Sequence, residues 1–463
     1  MNSISPRKYR VYKAADIDSI PGMQRFGEAE RSAMRAVAQV LPFRVNNYVT
    51  EELIDWGRAP DDPIFQLTIP QPGMLAPSDL QLLTGAMGAG ADNARVRQFA
   101  REIQVRMNPH PAGQNELNVP KVGGEALPGM QHKYRETVLF FPSQGQTCHA
   151  YCTYCFRWAQ FVGLDELKFA SREAEGLVAY LEAHREVTSV LFTGGDPLVM
   201  TTKVLRRYVE ALLKPELAHI TSIRIGTKAP AYWPYRFVTD SDADDLLRLF
   251  EEVVAAGKQM AIMAHFSHPR ELETPIAQLA LRRIQRTGAV VRCQAPLIRR
   301  VNDDPMLWAD MWRLQVQLGT VPYYMFVERD TGPKDYFGVP LARALEIFSE
   351  AYRHVSGLAR TVRGPSMSCT PGKVLIDGVL EVGGRPYFVL RFLQARDPAW
   401  VGRPFLAEHD RESMWFDQLR PAEGRSEFFF EAAMRDGIPG APAWGVSVPA
   451  RRGSPVHAEL TWE

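Results

Sequence analysis

Three of the chain's five cysteines fall in one eight-residue run, Cys148-His149-Ala150-Tyr151-Cys152-Thr153-Tyr154-Cys155. A four-iron cluster ordinarily takes four thiolates. The spacing C-x3-C-x2-C supplies three and leaves one iron open to a small chelating ligand. The competing readings are a zinc site and ordinary core cysteines. Zinc wants a fourth ligand close by, usually from a second paired motif. Only Cys293 and Cys369 remain, and both stand alone. Further on, Gly194-Gly195-Asp196-Pro197 sets a carboxylate beside two residues without a Cβ. Such a turn lets backbone come close to a ligand, though ordinary tight turns use the same residues. Lys373 follows Pro371-Gly372. An amine on such a turn can attack an aldehyde, or it can be a plain surface lysine.

These residues need a scaffold, and 463 residues is too long for one small core. Hydrophobic residues make up 46% and charged ones 23%, the composition of a globular protein. Lys and Arg number 54 against 53 Asp and Glu, so no overall basic field exists to attract nucleic acid. Five cysteines with three in one run do not make a secreted disulfide framework. The first twenty residues are charged and lack the apolar stretch of a signal peptide, and no run of about 18 apolar residues suits a membrane span. A cytoplasmic protein is expected.

Residues 1–130 read as a mainly helical extension, with apolar helical spacing over 28–41 and proline breaks at 61–64 and 69–70. The prolines at 108–111 and 127–129 suggest a connector. From residue 131 a rhythm begins. Strands are expected over 137–142, 187–193, 220–226, 260–265, 289–297 and 321–327. Helices are expected over 171–184, 202–213, 241–257, 274–287, 304–318 and 340–354. Six parallel βα units make a partial TIM-like barrel of α/β class, with the site built from loops at the strand C-terminal ends. The core spans 131–373. Residues 374–463 read as a hairpin around Asp377-Gly378 and Gly383-Gly384, then a loose Pro-, Gly- and Arg-rich tail from about 437.

The cysteine loop after the first strand, with Gly194-Gly195-Asp196 after the second, is similar to the arrangement in radical S-adenosylmethionine (SAM) enzymes. More text narrows the likeness: Tyr134-Arg135, Phe156-Arg157 after the last cysteine, and Ile225-Gly226-Thr227-Lys228. His265-Phe266-Ser267-His268-Pro269, Leu297-Ile298-Arg299-Arg300-Val301-Asn302-Asp303, Ser356-Gly357 and Gly372-Lys373 follow. Over roughly residues 40–375 the chain resembles the lysine 2,3-aminomutase family.

The resemblance implies a [4Fe-4S] cluster on Cys148, Cys152 and Cys155, with SAM on its open iron. Tyr154 would lie near the adenine. Gly194, Gly195, Asp196 and His265 would contact SAM, with a barrel histidine as the other reading of His265. It implies pyridoxal 5′-phosphate (PLP) as a Schiff base on Lys373, with Lys133 and Tyr134 near its phosphate; Lys133 also reads as a surface charge. Arg157 would grip the substrate α-carboxylate. The reaction implied is an isomerisation that moves an amino group between C2 and C3 of an amino acid, after an electron donor such as flavodoxin or ferredoxin has reduced the cluster. A homo-oligomer is expected.

The chain departs from the family text at two places. Ser368-Cys369-Thr370-Pro371-Gly372 replaces a run of glycines. Where lysine-specific members carry two aspartates for the distal ammonium, counting gives Arg329 and Ser366. Arg329 would repel an ammonium and hold a carboxylate, which favours an acidic substrate such as glutamate. A slip of one residue would put Glu328 or Asp330 there instead and restore lysine. A radical SAM enzyme without PLP, or a homologue that keeps the barrel without catalysis, are the remaining readings.

Overall fold

A computed structural model describes residues 5–108, 118–122, 125–163, 170–171 and 174–436. One eleven-stranded sheet organises it. Its strands are β1 (Met130–Tyr134), β2 (Thr137–Phe140), β3 (Ser189–Phe192), β4 (Ser222–Thr227), β5 (Gln259–His265), β6 (Val290–Leu297), β7 (Val321–Val327), β8 (Arg363–Ser368), β9 (Gly372–Val382), β10 (Arg385–Ala395) and β11 (Pro404–Glu408). They lie in chain order across the sheet. Strands β2 to β8 are parallel, while β1 and β9 to β11 run antiparallel at the two ends. The sheet curls until β10 comes against β1. This is the open, partial TIM-like barrel expected from the sequence, with one further parallel strand.

Helices α1 (Ala174–Ala183), α2 (Thr202–Ala211), α3 (Ala243–Ala255), α4 (Pro275–Arg286), α5 (Pro305–Gln317) and α6 (Leu341–Arg353) join the parallel strands. Their one-sided apolar faces explain why they cover the sheet: α3, for example, buries Leu246, Leu249, Phe250 and Val253. Start signals are local. Thr274 accepts from the Ala277 amide and Asp304 from that of Met306, each just before a proline at the first helical turn. Helix α3 starts two residues later than the expected 241, after Asp242, whose carboxylate is taken by Arg236 and Thr202 rather than by a cap bond.

Two strands escape the rhythm. Strand β1 precedes the expected first strand, and β8 follows α6 as a seventh parallel strand carrying Ser366. In the C-terminal hairpin, Gly383 and Gly384 both take positive φ and make the turn, whereas Asp377-Gly378 marks a register shift inside β9. The sheet runs through residue 373 without a break. A second, aromatic-rich core of Phe388, Phe392, Trp400, Trp415, Phe416, Phe428 and Phe430 packs under β10.

The front segment holds helices Glu28–Val40, Pro77–Gly88 and Asn93–Met107, together with a small antiparallel pair, Val11–Lys13 with Arg44–Asn46. Asp62 and Pro63 start a short helix, Pro63–Thr68, instead of only ending one: the Asp62 carboxylate accepts from the amides of Ile64 and Phe65. Among the described residues no helix is long and apolar enough to cross a membrane. The expected tail from residue 437 and most of the connector at 108–111 lie outside the described residues.

Candidate active site

A cavity of about 430 Å3 opens at the C-terminal ends of the parallel strands. Every site residue expected from the sequence lines it: Cys148, Cys152, Cys155 and Tyr154 from the loop after β2; Gly194, Gly195 and Asp196 after β3; His265 at the end of β5; Arg329 after β7; Ser366 on β8; Lys373 on β9; Lys133 and Tyr134 on β1; and Arg157 beyond the last cysteine.

The cysteine loop is clamped from two sides. The front segment holds one side. Asn46, fully buried, donates to the carbonyls of His149 (3.1 Å) and Tyr232 (2.9 Å), and Tyr9 donates its hydroxyl to the same His149 carbonyl. The amides of Tyr151 and Thr153 donate to Arg44 and Leu67, and Thr153 Oγ1 donates to the Gln66 carbonyl. The turn after β3 holds the other side: the Asp196 amide donates to the carbonyls of Thr147 (2.7 Å) and Gly145 (3.1 Å). A Cβ on Gly195 would sit 2.4 Å from the Thr147 carbonyl oxygen. The close approach this glycine permits is therefore to the backbone leading into Cys148.

The Asp196 carboxylate is engaged by Thr227 Oγ1 (2.7 and 2.8 Å) and by the amides of Leu198 and Lys228. Burial lifts it to about 6 in spite of these donors. It ties the end of β3 to the end of β4. Tyr154 turns its hydroxyl to Ser267 (3.1 Å), and His265 receives the Gln294 amide on Nε2 (2.9 Å). Burial, then Lys228 and Arg157, hold this imidazole neutral, with a pKa of about 3.

The three thiols are free, and burial raises each of them; Cys155 reaches about 12. Among the described residues no three His, Cys, Asp or Glu side chains converge as one metal ion requires. All three thiols line the one cavity, as three ligands of one cluster must.

Positive charge dominates the walls. Lys133, Arg157, Arg224, Lys228, Arg329, Lys373 and Arg396 line the cavity, against the carboxylates of Asp196 and Glu328. Lys228 is paired with buried Glu271 at 2.7 Å; among the described residues the other six cations have no carboxylate partner. Arg157 Nη1 donates to Thr193 Oγ1 (3.1 Å) and the Gly194 carbonyl (2.7 Å), while its Nε is buried with no partner. Burial depresses its guanidinium to about 10. Arg329 lies between the rings of Phe156 (5.6 Å) and Trp415 (5.4 Å), and its Nε is likewise unpartnered. Glu328 is pushed well above the usual carboxylate range by burial, partly offset by Arg329. Asp330 does not line the cavity. Ser366 is fully buried, its hydroxyl 3.4 Å from the Met325 carbonyl.

Lys373 Nζ rests over the ring of Tyr324 at 4.3 Å. Burial, reinforced by Arg224 and Arg363, lowers its amine to about 7. A Cβ on Gly372 would lie 2.4 Å from the Gln394 carbonyl oxygen, so the residue before the lysine must be glycine for β9 to pair there with β10.

No family model matches the chain. It is 31% identical over 396 residues to a protein of Aquifex aeolicus whose name sets it among the L-lysine 2,3-aminomutases, spanning 85% of this chain and 92% of that one. The chain belongs to the lysine 2,3-aminomutase family. It is also 28% identical over 244 residues to the L-lysine 2,3-aminomutase of Haemophilus influenzae, covering 52% of this chain and 68% of that one. A radical SAM methyltransferase from Sphaerobacter thermophilus is similar at 15% identity with a TM-score of 0.36, over 60% of this chain and 93% of that one. As a member of the family this protein is a radical SAM isomerase whose cofactors are a [4Fe-4S] cluster, SAM and PLP. The cavity-lining thiols, the depressed lysine amine and the cations without a carboxylate partner among the described residues fit that set.

Sequence reasoning missed Arg224, Lys228, Arg396 and Trp415 as cavity residues, and of the two acids it set beside Arg329 only Glu328 lines the cavity. Lys228 stands in the family-like text, which was a signal. Arg396 and Trp415 come from beyond it.

Proposed function

We propose that this enzyme is a 2,3-aminomutase that acts on an amino acid with an acidic side chain, glutamate foremost. One observation carries the reading: Arg157, Arg224 and Arg329, which have no carboxylate partner among the described residues, face a cavity whose two carboxylates are both lifted by burial. Lysine would bring one carboxylate and a further cation to these walls. Glutamate would bring two carboxylates, and charge complementarity of this kind selects among partners.

Bound cluster and SAM supply hydrogen-atom abstraction, and bound PLP supplies the conjugated system across which an amino group moves between C2 and C3. The chain's residues do the holding. Cys148, Cys152 and Cys155 ligate the cluster; Tyr154, Gly194, Gly195, Asp196 and His265 surround SAM, with Asp196 keeping the strand ends together. Lys373 offers a neutral amine above about pH 7. Arg157, oriented by Thr193 and Gly194, takes the α-carboxylate. Arg329, held between two rings, takes the distal carboxylate, with Ser366 as a short neutral wall. Lys133 and Tyr134 face the cofactor phosphate. Tyr324 stacks on Phe326 (4.9 Å, 19°) and gives a flat apolar surface beside Lys373 that excludes water. The reading also calls for a one-electron donor such as flavodoxin or ferredoxin, a reducing cytoplasmic setting, and assembly as a homo-oligomer.

A second reading, lysine as substrate, is favoured by Glu328, which lines the cavity beside Arg329 and would ionise against an ammonium. Anaerobic competition among lysine, glutamate, aspartate, glutamine and alanine separates the two. Preference for glutamate supports the Arg329 reading, and preference for lysine gives the distal site to Glu328.

A further inference from the structure

Arg396 follows the last residue of β10, beyond the family-like text, yet it is 8% exposed and reaches into the cavity. Three of its groups are engaged. The backbone amide donates to the Pro371 carbonyl (3.1 Å), Nε to that of Thr370 (2.9 Å), and Nη2 to Asn118 Oδ1. Nη1 is buried with no hydrogen-bond partner among the described residues. On β1, Lys133 donates Nζ to the Cys369 carbonyl, and the buried Tyr134 hydroxyl has no hydrogen-bond partner among the described residues. Burial and then Arg396 lower the Lys133 ammonium well below its usual value. Neither cation makes an ion pair among the described residues. Two cations and a phenol with spare donors around one space want a multiply charged oxyanion.

The position narrows the choice. Both cations are tied to consecutive carbonyls of one turn, Lys133 to Cys369 and Arg396 to Thr370, and Arg396's amide holds the next, Pro371. Lys373 leaves that turn two residues later. An anion here is tethered within one small molecule's reach of the Lys373 amine. We infer that Arg396, with Lys133 and Tyr134, forms the subsite that takes the phosphate of PLP, and that Arg396 is its second cationic arm. The inference rests on Lys373 as the PLP lysine. A phosphate monoester is close to dianionic at neutral pH and accepts from both arms at once. The subsite thus draws on the first strand of the sheet and on the C-terminal hairpin, and it forms only when the curled sheet brings β10 against β1.

The test compares PLP with pyridoxal, which lacks the phosphate, in the cluster-bearing full-length protein. Borohydride-trapped adduct at Lys373, quantified by peptide mass, gives a half-saturation for each. Arg396→Met should raise that for PLP about 10- to 100-fold and leave pyridoxal within about twofold. Arg396→Lys should recover most of the loss, and Lys133→Met should reproduce the selective loss from the opposite strand. Equal shifts for both aldehydes, or no shift for PLP, would overturn the subsite. Failure of the unaltered protein to form any reducible adduct at Lys373 would contradict the PLP lysine itself, and the subsite with it.

Discussion

Lys373 points its amine at the face of Tyr324, 4.3 Å from the ring centre, and lies 5.6 Å from the ring of Phe326, which stacks with Tyr324. Among the described residues it has no carboxylate partner. An ammonium over an aromatic face is attracted, but desolvation outweighs that here, and Arg224 and Arg363 add repulsion. The result is an amine whose pKa is about 7, the state a carbonyl-attacking lysine requires.

The first prediction follows from that value. Below about pH 7 the Lys373 amine is protonated and cannot attack; above it the free base predominates. The rate of PLP loading should therefore rise with pH through about 7 and then level. An unshifted lysine would keep rising to about pH 10.4. Stopped-flow absorbance of adduct formation across pH 5.5 to 9.5, about four units around that midpoint, distinguishes the two curves.

Replacing Cys148, Cys152 or Cys155 singly with Ala should abolish release of 5′-deoxyadenosine from SAM. Among the described residues the remaining cysteines, Cys293 and Cys369, are buried and Cys293 does not line the cavity. Chromatographic detection of deoxyadenosine from any of the three variants would contradict the cluster assignment.

Arg329→Met removes a charge-assisted bond of about 1.5–3 kcal/mol to a distal carboxylate, so kcat/KM for glutamate should fall about 10- to 100-fold. PLP loading on Lys373 should be unchanged. Equal losses for glutamate and alanine would mean that Arg329 does not meet the side chain.

Much of this was legible in the sequence. The cysteine spacing and the six strand–helix alternations read out directly because each rests on local pattern: thiol count, apolar periodicity, and caps such as Thr274 and Asp304. Strands β1 and β8 did not, because Met130–Tyr134 has three polar residues in its middle and Arg363–Ser368 is mostly small and polar, so both owe their form to neighbours already in the sheet. The clamp on the cysteine loop was hidden for the same reason. Asn46 is one asparagine among many until folding brings it to carbonyls more than a hundred residues away. Arg396 and Trp415 reach the cavity only through the curl of the sheet and the aromatic core beneath β10. The reason for Gly195 was half visible: close approach was expected, but its partner is Thr147 of the protein itself.

That clamp gives a further prediction. Asn46→Ala leaves the Tyr232 carbonyl without its donor and the His149 carbonyl with that of Tyr9 only. An unmet group costs about 1–3 kcal/mol. The denaturation midpoint should drop, and the cluster should be lost faster on exposure to a chelator. A variant with unchanged cluster retention would show that the front segment does not hold the loop.

The most direct measurement is of the migration itself. Protein reconstituted with iron, sulfide and PLP, reduced anaerobically and supplied with SAM, is incubated with glutamate labelled with carbon-13 at C2 and nitrogen-15 on the amino group. Carbon-13 NMR should show nitrogen-15 leave the labelled carbon for its neighbour, giving β-glutamate, and Lys373→Ala should stop it. Migration in lysine but not in glutamate would contradict the acidic-substrate account, and migration in no amino acid, with SAM still cleaved, would contradict the aminomutase account.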